Sequence, residues 1–132
     1  MCVSFFKALL GICTTKPLSP DLWNLEDGKI RVKLSEVPQL SNKGDAVYLK
    51  GAGLEKPVLI VRTEDDDYLA FANRCTHGGR KLDPVPGERI LRCCSVGHST
   101  FDYDGNRLGG PAKDALTGYA VELSDGNLVI TL

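Results

Sequence analysis

An all-β antiparallel domain is predicted by three features of the sequence. "KIRVKLSEV", residues 29–37, alternates apolar and polar residues and places Ile30, Val32 and Leu34 on one face. "GYAVELSDGNLVITL", residues 118–132, reads as two alternating strands joined by a Ser124-Asp125-Gly126-Asn127 turn, the composition of a tight hairpin. No helical periodicity persists for three turns, and turn-forming residues recur at short intervals.

Taken in chain order, the first element is "MCVSFFKALLGIC", residues 1–13, apolar apart from Lys7. It is too short to cross a bilayer as a helix. It has no positively charged leader and no twin arginine, and Ile12 stands where a lipoprotein-type cleavage site needs a small residue. Two readings stand: membrane attachment or export, or a short helix docked on the body through Val3, Phe5, Phe6, Leu9 and Leu10. "KPLSPD" follows as a loop-like stretch with two prolines, so residues 1–20 are read as an apolar segment and linker. Residues 21–132 are read as the single domain. Strands are expected at "AVYLK" (46–50), "PVLIVRT" (57–63) and "DYLAFAN" (67–73), the first two separated by the turn-rich "GAGLEK".

Between "DYLAFAN" and the closing hairpin lie residues 74–111, rich in Gly, Pro, Cys and His. The stretch looks too loop-like to be held by a core of its own, and a bound metal centre would order it. The 132 residues suffice for one domain, and 42% hydrophobic with 25% charged residues is ordinary globular composition. With 16 Lys and Arg against 17 Asp and Glu, the net charge is −1, and no basic tract points to nucleic acid.

Five cysteines cannot all pair as disulfides. Cys75, Cys93 and Cys94 instead cluster with the two histidines of the chain, His77 and His98. Cys75-x-His77, sixteen residues, then Cys94-x-x-x-His98 supplies two thiolates and two imidazoles. Such a set can hold zinc tetrahedrally. A single residue between Cys75 and His77, however, makes both hard to aim at one small ion. Two irons relieve that difficulty, because cysteine can serve one and histidine the other, as in Rieske [2Fe–2S] clusters.

On these residues the chain resembles the Rieske iron–sulfur family over nearly all of residues 27–132. "CTHGGRKL" is similar to the first cluster loop, with Gly79 and Leu82 at the family's glycine and leucine positions. "CSVGHSTFD" is similar to the second, through Phe101 and Asp102, and "LGGPAKDALTGYAVELSDGNLVI" to the proline loop and closing hairpin. The resemblance implies a Rieske-type antiparallel sandwich or barrel base with a loop-rich cluster-binding subdomain at about residues 74–111. It implies a [2Fe–2S] cluster on Cys75, His77, Cys94 and His98, with Gly79, Ser99, Phe101 and Pro111 around it. One departure is plain: the family writes His-Gly where this chain has Gly97-His98, so His98 stands one place late. Gly97 would supply the backbone freedom to return it.

The resemblance also bears on tuning. Arg80 stands where quinol-oxidising members have a disulfide cysteine, so that bridge is not expected. Ser99 occupies the place of a serine donor to a bridging sulfur in high-potential members, and Phe101 that of a tyrosine donor. No nucleophile–base pair, mononuclear iron site or nucleotide loop accompanies the motif. The function implied is one-electron transfer to redox partner proteins: a reductase, an oxygenase or a cytochrome. Small size and the missing disulfide favour a ferredoxin-like component, cytoplasmic. Ser99 and the apolar N-terminus favour the Rieske subunit of a membrane quinol-oxidising complex, periplasmic or membrane-attached. The shifted His98 favours a cluster-free or zinc-bound subunit acting by protein contact.

Overall fold

The computed structural model describes residues 15–51, 53–54, 56–63, 67–73, 82–85, 90–93, 100–109 and 116–132. Residues 1–13, over which membrane attachment and a docked helix were the two readings, lie outside that set. Among the described residues no helix is long and apolar enough to cross a membrane.

Strands β1 (Lys16–Pro17), β2 (Trp23–Glu26), β3 (Lys29–Lys33), β4 (Ala46–Leu49), β5 (Val58–Arg62) and β6 (Tyr68–Ala72) come first along the chain. They are followed by β7 (Leu82–Val85), β8 (Ile90–Cys93), β9 (Thr100–Asp102), β10 (Arg107–Gly109), β11 (Gly118–Ser124) and β12 (Asn127–Thr131). One sheet runs in the order β1-β4-β5-β6-β11-β12-β3-β2, and a smaller one in the order β10-β9-β8-β7. The all-β class read from the sequence is the class observed.

The pairing is antiparallel except at β1, where Lys16 and Pro17 run parallel to Val47 and Tyr48. Leu18 follows, buried, its N–H donating to the Tyr48 carbonyl at 2.8 Å. The sheet therefore takes in part of the stretch read as a linker. Proline is tolerated there because β1 is an edge strand.

The run "KIRVKLSEV" stops being a strand at Lys33. Leu34–Glu36 and Pro38–Leu40 form successive 3-10 turns. Pro38 has no N–H for a ladder and sets the second turn at its first residue. Two hairpins close on Asp-Gly pairs: Asp27 and Gly28 have φ of 52° and 73°, Asp125 and Gly126 have 49° and 78°. Positive φ at both central positions is what a two-residue loop needs to match strand twist.

Two cores share one wall. The rows Val47–Ile60–Ala70 and Leu49–Val58 face a first core completed by Trp23, Ile30, Val32, Leu128 and Ile130. The intervening row Tyr48–Leu59–Phe71, with Val61, faces a second core of Leu82, Leu91, Phe101, Tyr103 and Leu116. Strands β4–β6 are thus covered on both sides, which is why "VLIV" and "LAFA" are unbroken apolar runs while β3 and β12 alternate. Residues 74–111 contribute Leu82, Leu91, Phe101 and Tyr103 to the second core, whose other wall is Tyr48, Leu59, Val61 and Phe71 of β4–β6. Their apolar side chains are scattered singly through three- and four-residue strands, and only the β4–β6 wall gathers them. Full burial of each of Leu82, Leu91 and Phe101 contributes about 2–3 kcal/mol.

Candidate metal centre

Three segments leave the small sheet: residues 74–81 before β7, 94–99 between β8 and β9, and 110–115 after β10. Strand register places their roots together. Leu82, the first residue after 74–81, pairs with Cys93, the last before 94–99. Thr100, the first after 94–99, pairs with Arg92 and with Gly109, the last before 110–115. The opposite end of β7 and β8, Val85 against Ile90, carries none of the three. The third segment is returned to the body by two bonds: Leu116 N–H donates to the Gly105 carbonyl at 2.7 Å, and Ala72 N–H donates to the Thr117 carbonyl at 2.9 Å.

Asn73 closes the first root. It is 2% exposed, its N–H donates to the Pro57 carbonyl at 2.8 Å, and its Oδ1 accepts the Leu82 N–H at 2.9 Å. Its Nδ2 is buried without a hydrogen-bond partner. Sequence reasoning passed over Asn73; the signal was a polar residue ending the apolar run "YLAFA" just before Cys75.

Cys75, His77, Gly79, Cys94, His98, Ser99 and Pro111, expected at the site, lie outside the described residues. Among the described residues no group of three or more His, Cys, Asp or Glu side chains could hold a metal ion. Phe101 is fully buried in the second core, and the backbone of Cys93 is committed to the ladder opposite Leu82. Three segments rooted at one end of a small sheet, two of them carrying the Cys and His residues, on a two-core all-β body, are an architecture that can be compared with known ones. The family model of the Rieske [2Fe-2S] domain matches residues 22–120. The chain belongs to that family.

Rieske domains bind a [2Fe–2S] cluster and transfer electrons through it. Over 60 residues this Rieske domain is 35% identical to the anthranilate 1,2-dioxygenase large subunit of Burkholderia cepacia. That stretch is 45% of this chain and 14% of the subunit, so the chain spans only a small part of that curated relative. The plasma membrane Rieske protein PetC3 of Synechocystis PCC 6803 is 27% identical, with a TM-score of 0.54 over 64% of this chain and 86% of that one. The ferredoxin of carbazole 1,9a-dioxygenase from Nocardioides aromaticivorans shares the fold, with a TM-score of 0.61 at 20% identity. The alignment covers 76% of this chain and 92% of the ferredoxin.

The turn beyond β9 supports the third root of the Rieske domain. Asp102 Oδ1 accepts the N–H groups of Asp104 and Asn106, both at 2.9 Å, and its Oδ2 accepts Asn106 Nδ2 at 3.1 Å. Partial desolvation raises the carboxyl pKa, but the bonds from Asn106, Asp104 and Gly105 outweigh it and lower the pKa overall. A carboxyl with a depressed folded-state pKa stabilises the fold fully above its unfolded value, about 4, and loses that contribution as pH falls through the folded value. Asp102→Asn should therefore flatten the acid limb of stability between pH 5 and 2, approximately. Urea titrations of the two proteins across that range measure it, and parallel limbs would show that the charge of Asp102 is immaterial.

Proposed function

We propose that this Rieske domain is a one-electron carrier, a ferredoxin-like component of an oxygenase or reductase system. Its proposed ligands are Cys75, His77, Cys94 and His98, in a cluster-binding part spanning about residues 74–111 of a domain spanning 21–132. The observation that carries the proposal is the shared root of segments 74–81 and 94–99 at the Leu82–Cys93 pair. Register brings the flanks of Cys75-x-His77 and Cys94-x-x-x-His98 to one end of one sheet.

The donor set fits the group chemically. Two thiolates suit one ferric iron and two imidazoles the other, each segment giving one of each. When bound, the cluster supplies a reversible one-electron couple. Cys75 and Cys94 bind as thiolates, so each gives up its proton. His77 and His98 bring neutral rings, keeping the net charge less negative than four cysteines would. Ser99, at the end of the second segment, can donate its hydroxyl to a sulfur and favour the reduced form. Phe101, without a hydroxyl, packs with Leu82 and Leu91 in the second core and leaves that second donor out.

The ferredoxin-like reading is supported by Arg80, which denies the first segment a disulfide cysteine, and by the fold shared with a dioxygenase ferredoxin. A second reading, the Rieske subunit of a quinol-oxidising membrane complex, is favoured by Ser99 and the 27% identity to a plasma membrane Rieske protein. An absorption spectrum with metal and sulfide analysis tests the shared premise. Red-brown protein with two irons and two labile sulfides per chain is expected. Zinc alone, or no metal, overturns it. The reduction potential separates the two systems: the lower part of the range of about −150 to +300 mV belongs to the first, the upper part to the second.

A further inference from the structure

Asn73 has more hydrogen-bonding capacity than the fold uses. A buried side-chain amide offers one acceptor and two donors. The acceptor is taken by Leu82 N–H at 2.9 Å, while Nδ2 is buried with no partner. Buried amide donors left without partners are rare in native proteins and call for an explanation. The position of this one is particular. Asn73 is the last residue before segment 74–81, its bond to Leu82 joins the two ends of that segment, and Leu82 pairs with Cys93, next to Cys94. The amide therefore stands at the root of both segments that carry the proposed ligands.

Resting on the ligand set proposed above, we propose that Asn73 is a positioning residue for the metal centre. Its Oδ1 clamps the first segment through Leu82, and its Nδ2 donates a hydrogen bond to a sulfur of the centre, thiolate or bridging. Thiolate and sulfide sulfurs carry negative charge that grows on reduction, so an N–H pointed at one is stabilising and favours the reduced form. A neutral amide suits the place better than Lys or Arg, because it adds a donor without burying a charge. Trp23 Nε1, also buried without a partner, does not compare: it borders an open cleft with Asp21, Asn24 and Arg31, far along the chain from any proposed ligand.

The test is pulsed EPR on reduced protein labelled with 15N at the asparagine side-chain amides. Two strong histidine nitrogen couplings plus one weak 15N coupling are expected in the wild type. The weak coupling should vanish in Asn73→Asp, which keeps an oxygen for Leu82 N–H, while exchange protection of the Leu82 amide persists. Asn73→Ser, which also keeps an oxygen, serves if the aspartate variant does not load iron. Loss of the coupling with the Leu82 clamp intact is a signature a purely structural role would not give. Histidine couplings without any asparagine coupling, or a weak coupling that survives both variants, overturn the role of Asn73 and leave the proposed function standing. A wild-type protein with no cluster signal at all overturns the proposed function, and this inference with it.

Discussion

Cys75→Ser and Cys94→Ser should each give colourless protein, with iron and labile sulfide at background, while Cys93→Ser stays coloured. A serine hydroxyl is not deprotonated near neutral pH and is a poor substitute for the soft thiolate, so losing either cysteine removes half the anchorage of one iron. Cys93 differs because its backbone is held in β8 opposite Leu82, whereas Cys94 comes after the last residue of that strand in the chain. The colourless variants should keep the β-rich circular dichroism of the wild type. The first core, with Ile30, Val32, Ile60, Leu128 and Ile130 fully buried, is carried by strands β2–β6 and β12. Iron per chain and the visible spectrum decide the matter. Bleaching by Cys93→Ser with colour retained in Cys94→Ser would mean that the second ligand pair begins one residue earlier.

The second large effect is on stability, at Gly105. Its φ is +86°, a region that costs a residue with a Cβ about 1–2 kcal/mol. A Cβ there would also stand 2.5 Å from the carbonyl oxygen of Leu116, backbone that is itself bonded to Gly105. Relieving that overlap means shifting the strand-leading residue that ends segment 110–115, at a further cost of about 1–3 kcal/mol. Gly105→Ala should then lose about 3 kcal/mol, on the order of 10 °C in Tm for a domain of this size. Gly126 isolates the two contributions. Its φ is +78°, but an added Cβ meets no atom within 4 Å, so Gly126→Ala should show the conformational part alone. Thermal melts of the two variants side by side measure the difference. Equal losses would show that the Leu116 carbonyl yields freely and that the turn does not brace the third segment.

Much of the fold was legible in local pattern. Alternation in "KIRVK" and "NLVIT" marked half-covered strands, and the unbroken "VLIV" marked a strand covered on both faces. The Ser-Asp-Gly-Asn turn marked the closing hairpin, and the same Asp-Gly signal at residues 27–28 marked a β2–β3 hairpin that went unread. The short strands β7–β10 were not legible. Three or four residues hold too little of a period, and Pro84 and Gly109 within them look like loop. The Cys and His spacing named the chemistry, since ligand type and interval along the chain depend on the chain alone.

Other features were decided only in three dimensions. Leu82, Leu91 and Phe101 become a core because β4–β6 present a second apolar face to them, a face made by pairing residues up to 15 positions apart. Asn73 looked like any polar residue at a strand end until its side chain was found holding Leu82 across an eight-residue gap. Side-chain periodicity and ligand spacing are local properties, so the sequence by itself determined the all-β class, the main strands and the family. Which roots meet at the metal centre depends on strand register between distant segments, and register is settled by burial and hydrogen bonding in the folded chain.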